Sequence, residues 1–139
     1  MARSFQVTFD AHDPVEQAAF WRLALDYAEE PPPDGFASWD VFAEAHDIPD
    51  DQRGSIASCV DPDGVGPRLL FLRVPEEKTV KNRVHLDINV DAGEDRREAI
   101  LEHLSKLVHA GATFVRNVEE GGGFWVVCTD PEGNEFCIH

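Results

Sequence analysis

A short motif occurs twice in this chain, as Cys59-Val-Asp-Pro-Asp-Gly64 and again as Cys128-Thr-Asp-Pro-Glu-Gly133. Each copy lies between segments that read as strands, which predicts one duplicated module rather than two unrelated halves. The segments that open the two halves agree. Phe5 to Ala11 and Arg83 to Val90 both alternate apolar and polar residues, the pattern of a strand with one face on a core and one face open. Shifted by 79 positions they superpose, placing Gln6, Thr8 and Asp10 on His85, Asp87 and Asn89, and Phe5, Val7 and Phe9 on Val84, Leu86 and Ile88. A one-residue slip would exchange the faces, so core face and polar face are assigned together.

Between these anchors the signals are local. Asp13-Pro14-Val15-Glu16 offers an N-cap, a proline at the first helical position and an acid three residues past the cap, predicting a helix to about Tyr27. Ala19, Phe20, Leu23, Ala24 and Tyr27 form its expected buried stripe, and the prolines from Pro31 to Pro33 stop it. Phe36 to Phe42 reads as a strand centred on Trp39, Ser55 to Val60 and Arg68 to Val74 as two more, and the acidic stretch from Glu44 to Gly54 as a surface insertion. Pro75 to Thr79 links the halves, giving a first module over about 4–75 and a second over about 82–139 of one domain, 1–139. In the second half Gly93-Glu94-Asp95 leads into a helix with Ile100, Leu104, Leu107 and Val108 on one face, and Gly111 suits the left-handed position beyond it. Thr113–Asn117, Phe124–Cys128 and Asn134–Ile138 complete the strands, the middle pair joined through Glu119 to Gly123. The fold expected is α+β: two tandem βαβββ modules forming a curved mixed sheet around a central trough.

With 12 Lys and Arg against 27 Asp and Glu the net charge is −15, which repels a phosphate backbone or an anionic bilayer, so neither nucleic acid nor membrane is an expected partner. The chain starts without the apolar run of a signal peptide or spanning helix, which predicts a cytoplasmic protein. Its three cysteines, Cys59, Cys128 and Cys137, cannot all pair within one chain and form no Cys-x-x-Cys, so buried free thiols are expected.

These features resemble the vicinal oxygen chelate superfamily, and within it the glyoxalase-like and bleomycin-resistance-like proteins: two strand-helix-three-strand modules, Asp13-Pro14 opening the first helix, and Asp130-Pro131-Glu132-Gly133-Asn134 before the last strand. The resemblance covers residues 5 to 138. It implies a small-molecule ligand in the trough, with either lyase or isomerase chemistry or drug and metabolite sequestration, and a homodimer. Metal-using members take a ligand from the opening strand and one from the last strand of each module. Those places hold Gln6, His85, Cys137 and an apolar residue near Leu70 to Leu72, so a divalent ion is disfavoured. If one binds, Gln6, His85 and Glu135 or Cys137 are its ligands.

Proton chemistry needs a titratable group within hydrogen-bond reach of the substrate, and on the polar faces His85 is the candidate base with Asp87 as its partner. Gln6, Thr8, Asp10, Phe71, Trp125 and Cys137 are the expected ligand-lining residues, Trp125 as an aromatic stacking surface. The remaining histidines, His12, His46, His103, His109 and His139, show no ligand spacing and read as surface or terminal residues.

Overall fold

In the computed structural model, whose described residues are 1–91 and 93–139, strand β1 (Val7–Ala11) gives way to helix α1 (Pro14–Leu25) where Asp13 caps it. Asp13 Oδ1 accepts from Glu16 N at 3.0 Å, Pro14 holds the first helical position, and Asp26 at φ 54° closes the helix in the left-handed region. The buried side is rotated from the expected stripe. Gln17, Ala18, Phe20, Trp21 and Ala24 face inward, while Ala19 and Leu23 face out. The reason is Trp21, whose ring lies 5.3 Å from that of Phe9 and anchors the helix to the sheet.

Three further strands complete the first unit, Met1–Glu76: β2 (Ala28–Glu29), β3 (Ile56–Val60) and β4 (Leu69–Arg73), in the order β1-β4-β3-β2. β1 and β4 are parallel and the other pairs antiparallel. The second unit, Glu77–His139, repeats this arrangement with β5 (Asp87–Ile88), α3 (Arg96–His109), β6 (Thr113–Glu120), β7 (Gly123–Thr129) and β8 (Glu135–Ile138), in the order β5-β8-β7-β6. Each unit is a βαβββ module, and the fold class is α+β. The register repeats too: Cys59 pairs with Leu69 as Cys128 pairs with Phe136, and Thr8 pairs with Leu70 as Asp87 pairs with Cys137.

The doubled motif has a structural cause. Asp61 accepts from the amides of Asp63, Val65 and Gly66, which lower its pKa, and Asp130 accepts from the amides of Glu132 and Asn134 and from the Asn134 side chain. In both modules the aspartate thus ties the turn that aims the last strand beside the first.

The stretch from Phe36 to Phe42, expected as a strand, is not one. Strand β2 ends at Glu29 ahead of the prolines, and helix α2 (Trp39–Ala45) starts at Ser38, whose Oγ accepts from Val41 N at 3.2 Å. A short apolar run fits either period, and the Ser38 cap decides it for the helix. Trp39 is therefore a helical residue with no counterpart of Trp125 in the first sheet. The insertion continues as a single 3-10 turn over Asp50–Gln52.

The first core gathers Ala11, Phe20, Trp21, Cys59, Leu69 and Phe71 under α1; the second gathers Ile88, Ile100, Leu107, Val126, Cys128, Phe136 and Ile138 under α3. On α3, Ile100 and Leu107 are buried, Leu104 is half-buried, and Val108, expected on the same face, is exposed. The opening strands are shorter than their alternation suggests: Phe5 and Val84 are exposed.

Candidate functional site

Because side chains alternate along a strand, the face of the second sheet turned away from its core carries Asp87, Cys137, Val127 and Trp125. β5 and β8 run parallel with Asp87 opposite Cys137, so the residues two positions away on each strand, His85 and His139, flank that pair. His85 Nδ1 lies 3.0 Å from Asp87 Oδ1, and His139 Nε2 lies 3.6 Å from Asp87 Oδ2. Donor atoms of His85, Asp87 and Cys137 all fall within 4.8 Å of one another. The indole of Trp125 stacks on the His139 imidazole, centroids 5.4 Å apart and planes 13° from parallel.

A carboxylate can only accept, so the His85–Asp87 contact puts the imidazole proton on Nδ1 and leaves the lone pair on Nε2. His85 and Asp87 remain open to solvent and thus to a ligand. The Cys137 thiol is pushed above its ordinary pKa by burial first and then by the charge and hydrogen bond of Asp87, against the smaller pull of Arg116 and Lys81. It stands beside Asp87 as a proton donor.

The structure thus brings together three of the residues singled out in sequence, His85, Asp87 and Cys137, with Trp125 alongside. Glu135, on the same strand face, is held elsewhere: its carboxylate takes Lys78 Nζ at 3.1 Å and the Asn82 amide at 2.9 Å. Burial alone would raise its pKa, but those partners and its own amide lower it. In the first module Gln6 Oε1 accepts from Arg68 Nη1 at 3.1 Å and Gln6 Nε2 donates to Thr8 at 3.4 Å, while Asp10 is exposed. Phe71, expected to line a ligand, belongs to the core instead: it is fully buried and stacked on Phe9, with centroids 5.0 Å apart.

Two groups were not singled out in sequence. His139, expected as a surface or terminal residue, continues the line of β8: its amide donates to Ile88 O at 2.7 Å and its carbonyl accepts from Val90 N at 2.8 Å. Its position two residues past Cys137 on an alternating strand was the available signal. Arg68 forks onto Glu30 at 2.7 to 3.0 Å, and Ser58 donates to the same carboxylate. Although burial acts to raise the Glu30 pKa, the hydrogen bonds from Arg68 and Ser58 bring it below its ordinary value.

As a seat for a hard oxygen-seeking divalent ion this set does not fit. The cluster brings a single carboxylate, Asp87, beside the His85 imidazole and the Cys137 thiol, and the register equivalent of Cys137 in the first module is the apolar Leu70. The chemistry these side chains offer is proton transfer, hydrogen bonding and aromatic stacking.

The glyoxalase-like domain family matches residues 6–139, and the chain belongs to it and to the vicinal oxygen chelate superfamily. No curated protein matches. Among solved structures the chain is similar to a glyoxalase/bleomycin resistance protein/dioxygenase family enzyme from Burkholderia phytofirmans, at 18% identity and a TM-score of 0.65, covering 96% of this chain and 94% of that one. It is also similar to a mutant of the fosfomycin resistance protein of Listeria monocytogenes complexed with Mn(II) and a dihydroxypropylphosphonic acid, at 12% identity and a TM-score of 0.66, covering 100% and 90%. A hypothetical protein from S. aureus aligns at 15% identity and a TM-score of 0.65, covering 99% and 93%. At these identities the likeness shows the fold.

Proposed function

We propose that this protein binds a small oxygen-bearing organic molecule on the open face of β5, β8 and β7 and moves a proton on it, as a glyoxalase-like lyase or isomerase. The observation that carries this is the 3.0 Å contact between His85 and Asp87 on a solvent-open strand face. His85 Nε2 takes a proton from the bound molecule, and Asp87 stabilises the imidazolium that results. Return of that proton to a neighbouring atom isomerises the substrate; departure of a group from the neighbouring atom makes the reaction a lyase reaction. Trp125 and Cys137 bound the ligand on this face.

The stacked Trp125 and His139 rings favour a second reading, a sequestering protein that holds a flat ligand on this aromatic surface without turnover. One experiment separates the two. A thermal-shift screen of divalent ions, small hydroxy and keto acids and flat aromatic compounds yields ligands, and each is then incubated with protein in deuterated water and followed by proton NMR. The enzyme reading expects a ligand that loses a C–H signal or is converted, at a rate abolished in His85→Gln. A ligand that binds tightly and is recovered unexchanged sinks it and leaves sequestration.

Two coarser features belong to this reading. The three free, buried cysteines support residence in the reducing cytoplasm, and no helix among the described residues is long and apolar enough to cross a membrane. Exposed Phe114 and Val115 on the edge strand β6 support a homodimer, which sedimentation showing only monomer at micromolar concentration would refute.

A further inference from the structure

One row of side chains crosses the whole open face of the second sheet. Arg116 on β6 pairs with Val127 on β7, Val127 with Cys137 on β8, and Cys137 with Asp87 on β5. Directly paired residues project to the same side of a sheet, so these four share the face that carries His85 and Trp125. Val127 and Cys137 floor a strip with the His85–Asp87 pair at one end and a guanidinium at the other. Three strand spacings, about 14 Å between backbones, separate the ends. The Arg116 side chain shortens that span, reaching close enough for its charge to act on the Cys137 thiol.

Arg116 is on this face because of an irregularity in the ladder. Thr113 and Phe114 pair with Thr129 and Cys128, and then the register shifts, so that Arg116 and not Val115 meets Val127. Without that bulge Arg116 would pair with Val126, whose side chain is fully buried in the core. The bulge thus turns a cation from the core side to the side of the His85 site. Nor is the cation spent there. Arg22, Arg53, Arg68 and Arg97 are each held by a carboxylate, whereas Arg116, exposed, has no ion pair or hydrogen bond among the described residues of a chain with 27 acids.

We infer that Arg116 takes the carboxylate of the substrate in its planar fork, so that the molecule this face accepts is a small carboxylic acid with its reactive C–H toward His85. The inference rests on the placement of a proton-transfer substrate on this face and names its class. One guanidinium answers one negative charge, and Asp87 on the same strip opposes a second, which selects a monoanionic carboxylate over a dianionic phosphonate. Arg116 is a specificity-determining residue, not the base.

The test titrates lactate, mandelate and phenylpyruvate, each beside its primary amide, and α-hydroxybenzylphosphonate against the full chain by ligand-observed NMR. An acid should bind about tenfold or more tightly than its amide, and in Arg116→Gln the two should come within about twofold while the amide binds as before. Arg116→Lys should restore part of the preference. Arg96→Gln, which removes the same charge from the start of α3, should leave it unchanged. Acids and amides bound equally by the native chain, a preference that survives Arg116→Gln or falls equally in Arg96→Gln, tighter binding of the phosphonate than of mandelate, or no acid bound at about 10 mM overturns the inference. Failure of the proton-transfer reading looks different. Acids that bind through Arg116 yet keep their C–H signal in deuterated water sink that reading and leave this one, whereas exchange that needs His85 but ignores Arg116 does the reverse.

Discussion

His85 and Asp87 act as a unit only if the carboxylate sets the imidazole tautomer, and this can be checked without a substrate. With Nδ1–H donated to Asp87, nitrogen NMR of neutral His85 should show the Nδ1–H form predominating; in Asp87→Ala it should relax toward the Nε2–H form usual for free imidazole. An unchanged tautomer in that variant removes Asp87 from the orienting role. The repeated cysteines make a second case. Burial pushes Cys59 and Cys128 up to about 11, from an ordinary value of 9.0. Below pH 9 both folded and unfolded thiols are protonated; between about 9 and 11 the unfolded thiols ionise and the folded ones do not, so stability falls as pH rises through that window. Urea midpoints measured from pH 8 to 11 should therefore drop more steeply in the native protein than in a Cys59→Ala/Cys128→Ala double variant, and equal slopes would refute burial as the cause. Alternation made His85, Asp87 and Cys137 readable as one face. It could not place Phe71, because Leu69 to Leu72 is apolar on both faces and carries no period-two signal.

Helices that begin at a capping aspartate are legible in the sequence, whereas α2, expected as a strand, and the two-residue β2 are not. Asp13 and Asp95 each accept from the amide three residues on, at 3.0 and 3.1 Å, and both helices start where those residues predict. Ser38 does the same for α2, but the aromatic run Phe36 to Phe42 fits a strand equally well over so short a length. Replacing Asp13 or Asp95 by Ala should each cost about 0.5–2 kcal/mol by urea denaturation, since the freed amide loses its partner at a helix end. The two costs should add in the double variant, because each cap lies in a separate unit. A cost near zero at either site would mean that another group caps the helix. Strand ends were less readable than helix starts. β5 is limited to Asp87–Ile88 although alternation runs from Arg83 to Val90, because a strand exists only where a partner strand supplies its hydrogen bonds, and that partner, β8, is itself short.

Duplication is the property of the whole molecule that sequence discloses best: two modules with the same strand order and the same pairing of the repeated cysteines. What duplication does not carry is symmetry of chemistry. One module places His85, Asp87 and Cys137 together, and the other places Arg68, Glu30 and Ser58 on its corresponding face. Acidity is a property of the chain as a whole and makes its own prediction. Twenty-seven acids face twelve bases, so carboxylates outnumber cations by more than two to one and their net effect in the folded state is repulsion. Salt acts on two opposed quantities, weakening ion pairs such as Arg97–Glu119 and screening the repulsion. Exposed pairs are worth about 0–1 kcal/mol each, whereas the repulsion is summed over a net charge of −15 within a protein only a few Debye lengths across. Screening of repulsion should therefore win. The midpoint of thermal unfolding should rise as sodium chloride increases from about 20 to 200 mM, and the rise should shrink in the variant whose five acids from Asp40 to Asp51 are made amides. A midpoint that falls with salt would mean that the paired charges, few as they are, stabilise the fold more than the unpaired ones oppose it.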